Sequence, residues 1–197
     1  MAQTLHGDLL VYKAIASVFG GLWATVFLLS SAAAAGPGEY WKDASGRALA
    51  DSDAMRSKNG FGALLVATTD VDWRERLQNA SNSIPNFSMA RTVEHGKKIA
   101  IFVLAGNPEL DKGGHANVRV SFVLTNPKGV KDATAPNLEC VVGTVEPGSE
   151  KNLRNCKADL TFSGDDSDPS GLWEVNATVT DVNRSTQLIL HTQFQLD

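Results

Sequence analysis

The polarity pattern divides the chain into three regimes. Residues 14–31, "AIASVFGGLWATVFLLSS", are an apolar run without a charge. Residues 36–60 are small and polar and follow no period. From Phe61 onward short apolar segments return, separated by turn residues, and most of them alternate. "FGALLVATTD" (61–70) and "KIAIFVLAG" (98–106) are apolar on both parities, the pattern of strands buried on both faces. In "NVRVSFVLTNPKG" (117–129) Val118, Val120, Phe122 and Leu124 face one way, and Arg119, Ser121 and Thr125 the other. "LECVVGTV" and "CKADLTF" are shorter candidate strands. In "LWEVNATVTD" (172–181) Trp173, Val175, Ala177 and Val179 point inward, and "TQLILHTQFQL" (186–196) does the same with Leu188, Leu190, Phe194 and Leu196. "DVNRS" between these two reads as a hairpin loop. One-sided alternation in the last strands implies that each sheet has a wet face.

A single helix is expected over residues 72–79. Asp72 and Glu75 have the capping-box spacing, with Asp in place of Ser or Thr, and Trp73 and Leu77 share one face. Pro85 keeps the following segment extended. The expected fold is therefore all-β: a single immunoglobulin-like antiparallel β-sandwich of about seven strands. Residues 36–60 are expected as a flexible leader, with a short helical turn around Arg47 to Met55.

The first regime reads as an export signal. Lys13 precedes the apolar run, and Ala33 and Ala35 stand three and one residues before a cut at Gly36. Retention as a membrane anchor is the competing reading, since the run reaches the lower edge of a spanning length. The small residues after it and the lack of a positive stop cluster favour removal of residues 1–35, leaving no membrane span. The sandwich is expected over 61–197.

Composition adds mainly exclusions. The chain has 18 Lys+Arg, 22 Asp+Glu and a net charge of −4. There is no basic stripe interleaved with aromatics, so no nucleic-acid partner is expected. Cys140 and Cys156 are the two cysteines. An even count in an exported chain points to a disulfide, whereas a zinc site needs more ligands and a CxxC pair is missing. The expected address is the periplasm or the outside of the cell. No G-x-S-x-G or H-E-x-x-H motif occurs. A site assembled from distant residues is the remaining enzymatic alternative.

Two metal sites are candidates. "SGDDSDPSGLW" (163–173) brings Asp165, Asp166 and Asp168 together, and from Asp166 it follows the first half of an EF-hand loop, with Gly171 sixth. The second half departs, because Ala177 stands where a bidentate Glu is needed, and Pro169 takes the fourth position. Calcium at this turn competes with a plain acidic bend that feeds Trp173, the expected core anchor, into a strand. Copper at His95, His115, His191 and Met89 is the other candidate, since imidazole and thioether suit it, but the residues are scattered. No other cofactor is expected. Asn79, Asn86, Asn176 and Asn183 each begin an N-x-S/T sequon.

The stretches "FGALLVATTDVDW", "IPNFSMARTVEHGKKIAIFVLAGNPELDKGGHANVRVSFVLTNPKG" and "DPSGLWEVNATVTDVNRSTQLILHTQFQL" resemble small exported bacterial proteins of unassigned function with one immunoglobulin-like β-sandwich domain. The resemblance spans most of residues 61–197. It implies export and the sandwich, and it brings no catalytic residues with it. The expected role is a non-enzymatic binding or structural module of the cell envelope. Its partner, a protein or glycan, would meet the polar loops at 107–117 and 126–137 or a sheet edge.

Overall fold

The structure is a computed structural model that describes residues 37–43, 45–80 and 84–197. The expected signal over 1–35 lies outside the described residues. Eleven strands and one helix follow in the order β1 (Pro37–Lys42), β2 (Ala48–Ala50), β3 (Met55–Lys58), β4 (Phe61–Thr68), α1 (Trp73–Asn79), β5 (Thr92–Val93), β6 (Lys98–Gly106), β7 (His115–Thr125), β8 (Lys131–Thr144), β9 (Leu153–Ser163), β10 (Gly171–Asp181) and β11 (Thr186–Leu196). A four-stranded sheet, β3-β4-β6-β9, faces a five-stranded sheet, β5-β11-β10-β7-β8. The protein is an all-β sandwich with antiparallel sheets and, among the described residues, one short helix. The exception to antiparallel pairing is β5 beside β11, where Thr92 and Val93 run parallel to Gln195 and Leu196.

Alternation decides the core. Val118, Val120, Phe122, Val175, Ala177, Val179 and Leu190 are fully buried from one sheet, and Phe61, Ala63, Leu65, Ile99, Ile101 and Val103 from the other. Trp173 is fully buried among Phe162, at 4.7 Å between ring centres, and Phe194, and its indole N–H donates to the carbonyl of Pro169 at 3.0 Å. That bond satisfies the one polar group of the ring inside the core.

The second parity of β4 and β6 needs its own cover. Val66, Phe102 and Leu104 point away from the sandwich core and form a second cluster with Trp73 and Phe87. Trp73 lies flat on Phe102, with ring centres 4.1 Å apart, and Phe87 meets Phe102 edge-on at 5.5 Å. Helix α1 forms where expected, but its capping box does not. Asp72 makes no side-chain cap bond. Its carboxylate instead accepts from Arg76 Nε at 3.0 Å.

The leader expected over 36–60 is instead paired structure, and no helical turn forms there among the described residues. β1 and β2 make an antiparallel hairpin, and β3 pairs with β4 along its whole length. Two aromatic side chains order this polar segment. Trp41 is buried and donates from Nε1 to the Arg56 carbonyl at 3.0 Å. The Tyr40 ring lies over Gly62 and Gly106, which are direct cross-strand partners in β4 and β6, and its hydroxyl donates to the Lys151 carbonyl at 2.7 Å. A Cβ at either glycine would overlap that ring. Paired glycines thus form a trough that lets an aromatic ring approach the backbone. Composition hid this, because a polar segment can be ordered by one or two large rings.

The strand expected from 138 begins earlier. β8 starts at Lys131, inside the stretch expected as a loop, and its register with β7 shifts at three places. At one of them Pro136 and Asn137 bulge between the Ala135–Phe122 and Leu138–Val120 pairs. The Asn137 N–H donates to Ser121 Oγ at 2.9 Å. An edge strand tolerates the proline and the bulge.

Cys140 and Cys156 form a disulfide. It joins β8 to β9, the facing edge strands of opposite sheets, rather than the two central strands bridged in antibody domains. Closing a loop of this length contributes about 3 kcal/mol in the chain-entropy account.

Two stability measurements follow. Trp173→Ala should lower the unfolding free energy by about 3–5 kcal/mol, while Asp166→Asn at the exposed turn should change it by under about 0.5 kcal/mol; urea titration distinguishes the two. Gly62→Ala should expel Tyr40 and cost about 1–3 kcal/mol. It should also make the hairpin at residues 37–50 as sensitive to limited proteolysis as Tyr40→Ala does.

Candidate functional site

The two sheets have unlike outer faces. That of the four-stranded sheet is sealed by α1, Phe87 and Tyr40. That of the five-stranded sheet carries the outward parity of β7, β10 and β11, and those side chains are exposed or half-buried. The register sets them in rows: Thr180 beside Arg119 and Gln187, Thr178 beside Ser121 and Ile189, Asn176 beside Val123 and His191, Glu174 beside Thr125 and Gln193. Most are neutral amides and hydroxyls that both donate and accept. Ile189, at 61% exposure, is the most exposed large apolar side chain on this face.

A loop rim borders the face at the end where β7 begins. His115, Asn117 and Arg119 follow one another on its outward parity, and with Asp111 and Asn183 they line a shallow open dent. Asp111 is held below the usual carboxylate range by the backbone N–H groups of His115 and Gly113, which its Oδ1 accepts at 3.0 and 2.8 Å. The Asn183 amide donates to the carbonyls of Glu109 and His115 at 3.0 and 2.9 Å, so this sequon side chain is a structural tie.

Under the rim lies a buried ion pair. Asp181 is fully buried, and its carboxylate accepts from Glu109 N at 2.8 Å, Arg184 N at 3.2 Å and Arg184 Nε at 3.3 Å. Arg184 also donates to the carbonyls of Asn59 and Asn107, and Glu109 lies 3.3 Å from its guanidinium. One guanidinium thereby joins the β3–β4 turn, the 107–114 loop and the β10–β11 hairpin. The fork of five donors makes arginine suited to this task.

The residues expected to bind metal are not gathered. Among the described residues, no group of three or more His, Cys, Asp or Glu is placed to hold an ion. In the acidic turn the carboxylates face inward on their own loop. Asp165 Oδ1 accepts from Ser167 N at 2.8 Å, and Asp168 Oδ2 from Asp165 N at 2.8 Å, while Asp166 is exposed. Pro169 interrupts the first half of the would-be calcium loop, and strand β10, from Gly171, takes the place of its second half. The copper candidates are spread over the molecule. His115 opens β7, whereas His191 lies level with Asn176 and Val123, some 8 residues or ~26 Å along the strand. His95 is at the opposite end, beside Asp197, and Met89 lies by Thr68.

At β8 the expected sheet-edge contact meets obstacles. β8 has three register shifts and a proline, and such irregular edges are poor templates for an added strand. The alternation shows the outward Asn, Thr and Gln of β10 and β11, but the wet face expected on each sheet is found only on the five-stranded one, because α1, Phe87 and Tyr40 cover the other.

No family model and no curated protein matches the chain. Among solved structures it is similar to a family 123 glycoside hydrolase from Clostridium perfringens, with 11% identity over 68% of this chain and a TM-score of 0.35. The match spans only 27% of that hydrolase. It is also similar to a Niemann-Pick type C2 protein from Japanese carpenter ant, with 12% identity, 54% of this chain, 79% of that one and a TM-score of 0.30. Likenesses at these values carry no functional argument.

Removing the hub cation isolates a buried charge, so Arg184→Ala should destabilise the fold by about 3–5 kcal/mol. Arg184→Lys should recover only part of this, because a point charge cannot serve the same carbonyls. Urea unfolding of the three proteins checks the order.

Proposed function

We propose that the protein is an exported, non-enzymatic binding module of the cell envelope that meets a partner protein on the open face of its five-stranded sheet. The observation that carries this reading is the contrast between the outer faces: aromatic side chains cover one, and the other presents rows of neutral hydrogen-bonding groups around Ile189 and Val123. Amide and hydroxyl side chains at fixed register suit a partner read by hydrogen bonds, and an apolar centre with a polar surround is the usual anatomy of a contact. No Phe, Tyr or Trp points outward from β7, β10 or β11. A sugar ring would therefore lack an aromatic platform, which favours protein over glycan. The Arg184 hub holds the adjoining loops in place, as a binding rim requires.

Export is supported by the signal-like residues 1–35 and by the disulfide, which belongs to oxidising compartments. No helix of the described residues is long and apolar enough to cross a membrane. The resemblance to small exported bacterial sandwiches agrees with the same address.

Purified protein should capture a specific envelope protein, and Ile189→Arg or Asn176→Arg should weaken the capture by tenfold or more, about 1.4 kcal/mol, at unchanged thermal stability. Capture that survives both substitutions, or binding confined to a glycan panel, would overturn the reading.

A further inference from the structure

The acidic turn between β9 and β10 meets a histidine from another turn. His95, in the turn after β5, meets a backbone oxygen with each ring nitrogen: Nδ1 lies 2.6 Å from the oxygen of Asp197, and Nε2 lies 3.1 Å from that of Asp168. Those oxygens only accept, and a neutral imidazole has one N–H. Two such contacts at once require a proton on both nitrogens. We propose that the imidazolium of His95 is a proton-operated latch, which fastens the turn at residues 165–168 to the end of β11 and releases it when the proton leaves.

The surroundings fit a cation. Asp166 and Asp168 face the ring from the β9–β10 turn, Asp197 follows β11, and Glu94 and Lys97 flank His95 in its own turn. Asp132, near the start of β8, lies close enough to Asp168 to feel its charge. The contacts with the backbone oxygens of Asp168 and Asp197 raise the His95 pKa above its ordinary value, and the charges of Asp166 and Asp168 add to this. Burial, and then the Asp168 charge, raise the pKa of Asp132. A group whose pKa is higher folded than unfolded stabilises the fold fully below its unfolded value, about 6.5 for histidine. That contribution disappears as pH rises through the raised folded value.

The two contacts are not equally exposed to the loss. The neutral ring keeps its shorter bond, Nδ1–H to Asp197, and then turns a lone pair toward the Asp168 oxygen. The end of β11 is also held by its backbone, with His95 N donating to Asp197 O at 3.1 Å and Asp197 N to Val93 O at 2.9 Å. The roots of the acidic turn are held by Gly96 N on Gly164 O at 2.7 Å and by Trp173 Nε1 on Pro169 O at 3.0 Å. Between those roots, His95 Nε2 is a tether whose bond depends on a proton. Its loss unfastens Asp168 from the imidazole without opening the core, and the charge on Asp132 then helps to push Asp168 away.

Nuclear magnetic resonance of the intact protein, titrated between about pH 5 and 9, tests the latch. The His95 ring and the backbone amides of residues 165–168 should share one transition with a midpoint above about 6.5. His95→Gln should abolish the transition at those amides, His191→Gln should leave it in place, and Asp166→Asn should lower its midpoint. A His95 midpoint at or below the ordinary value would overturn the proposal, as would turn amides that do not follow the ring. The wild-type titration decides even if His95→Gln fails to fold, and it does not depend on the proposed partner.

Discussion

Everything in this molecule is arranged around two strands that are apolar on both faces. β4 and β6 pair in the middle of the four-stranded sheet. One parity, Leu65 and Ile101 among it, needs the facing sheet; the other, Val66 and Phe102 among it, needs a second cover. The facing sheet meets the first demand and the Trp73–Phe87 cluster the second. The Gly62–Gly106 pair continues the same face toward the N-terminal hairpin, where it holds Tyr40. Because the short helix and the hairpin are both used on this side, the outer face of the five-stranded sheet stays open to water.

Closure of the sandwich is distributed between its sides and its ends. Along one side the disulfide ties β8 to β9. Along the other, backbone bonds from His191 to Asp53 and from Gln195 to Arg91 hold β11 to neighbouring segments. At the two ends single side chains gather the loops, Arg184 at one and His95 at the other. The two hubs differ in kind. A guanidinium keeps its charge at every pH a cell meets, so the Arg184 end is permanently joined. An imidazole does not, so the His95 end can respond to its medium.

The acidic stretch "SGDDSDPSGLW" illustrates how a local motif is reassigned by its surroundings. Alternating oxygens and a glycine resemble the start of a calcium loop, yet two of the carboxylates accept backbone N–H groups of the loop itself. The imidazole that faces Asp166 and Asp168 belongs to a residue some seventy positions earlier. Trp173, at the end of the same stretch, is the part with a packing role.

The alternation in β7, β10 and β11, the double-faced apolar runs of β4 and β6 and the Trp73–Leu77 spacing determined the sandwich, the inward set and the single helix from the sequence alone. Local periodicity is enough there, because side-chain direction in a strand follows from the backbone itself. The paired cysteines were legible for a similar reason, since an even count leaves one simple bond. The ordered hairpin, the early start of β8, the Arg184 and His95 hubs and the open polar face were decided by tertiary structure. Each depends on partners far apart in the chain: Tyr40 on Gly106, Pro136 on an edge position, Arg184 on Asn59, His95 on Asp168. A polar residue has no period that reports its partner, so where its hydrogen bonds go becomes readable only once the strands have brought the loops together.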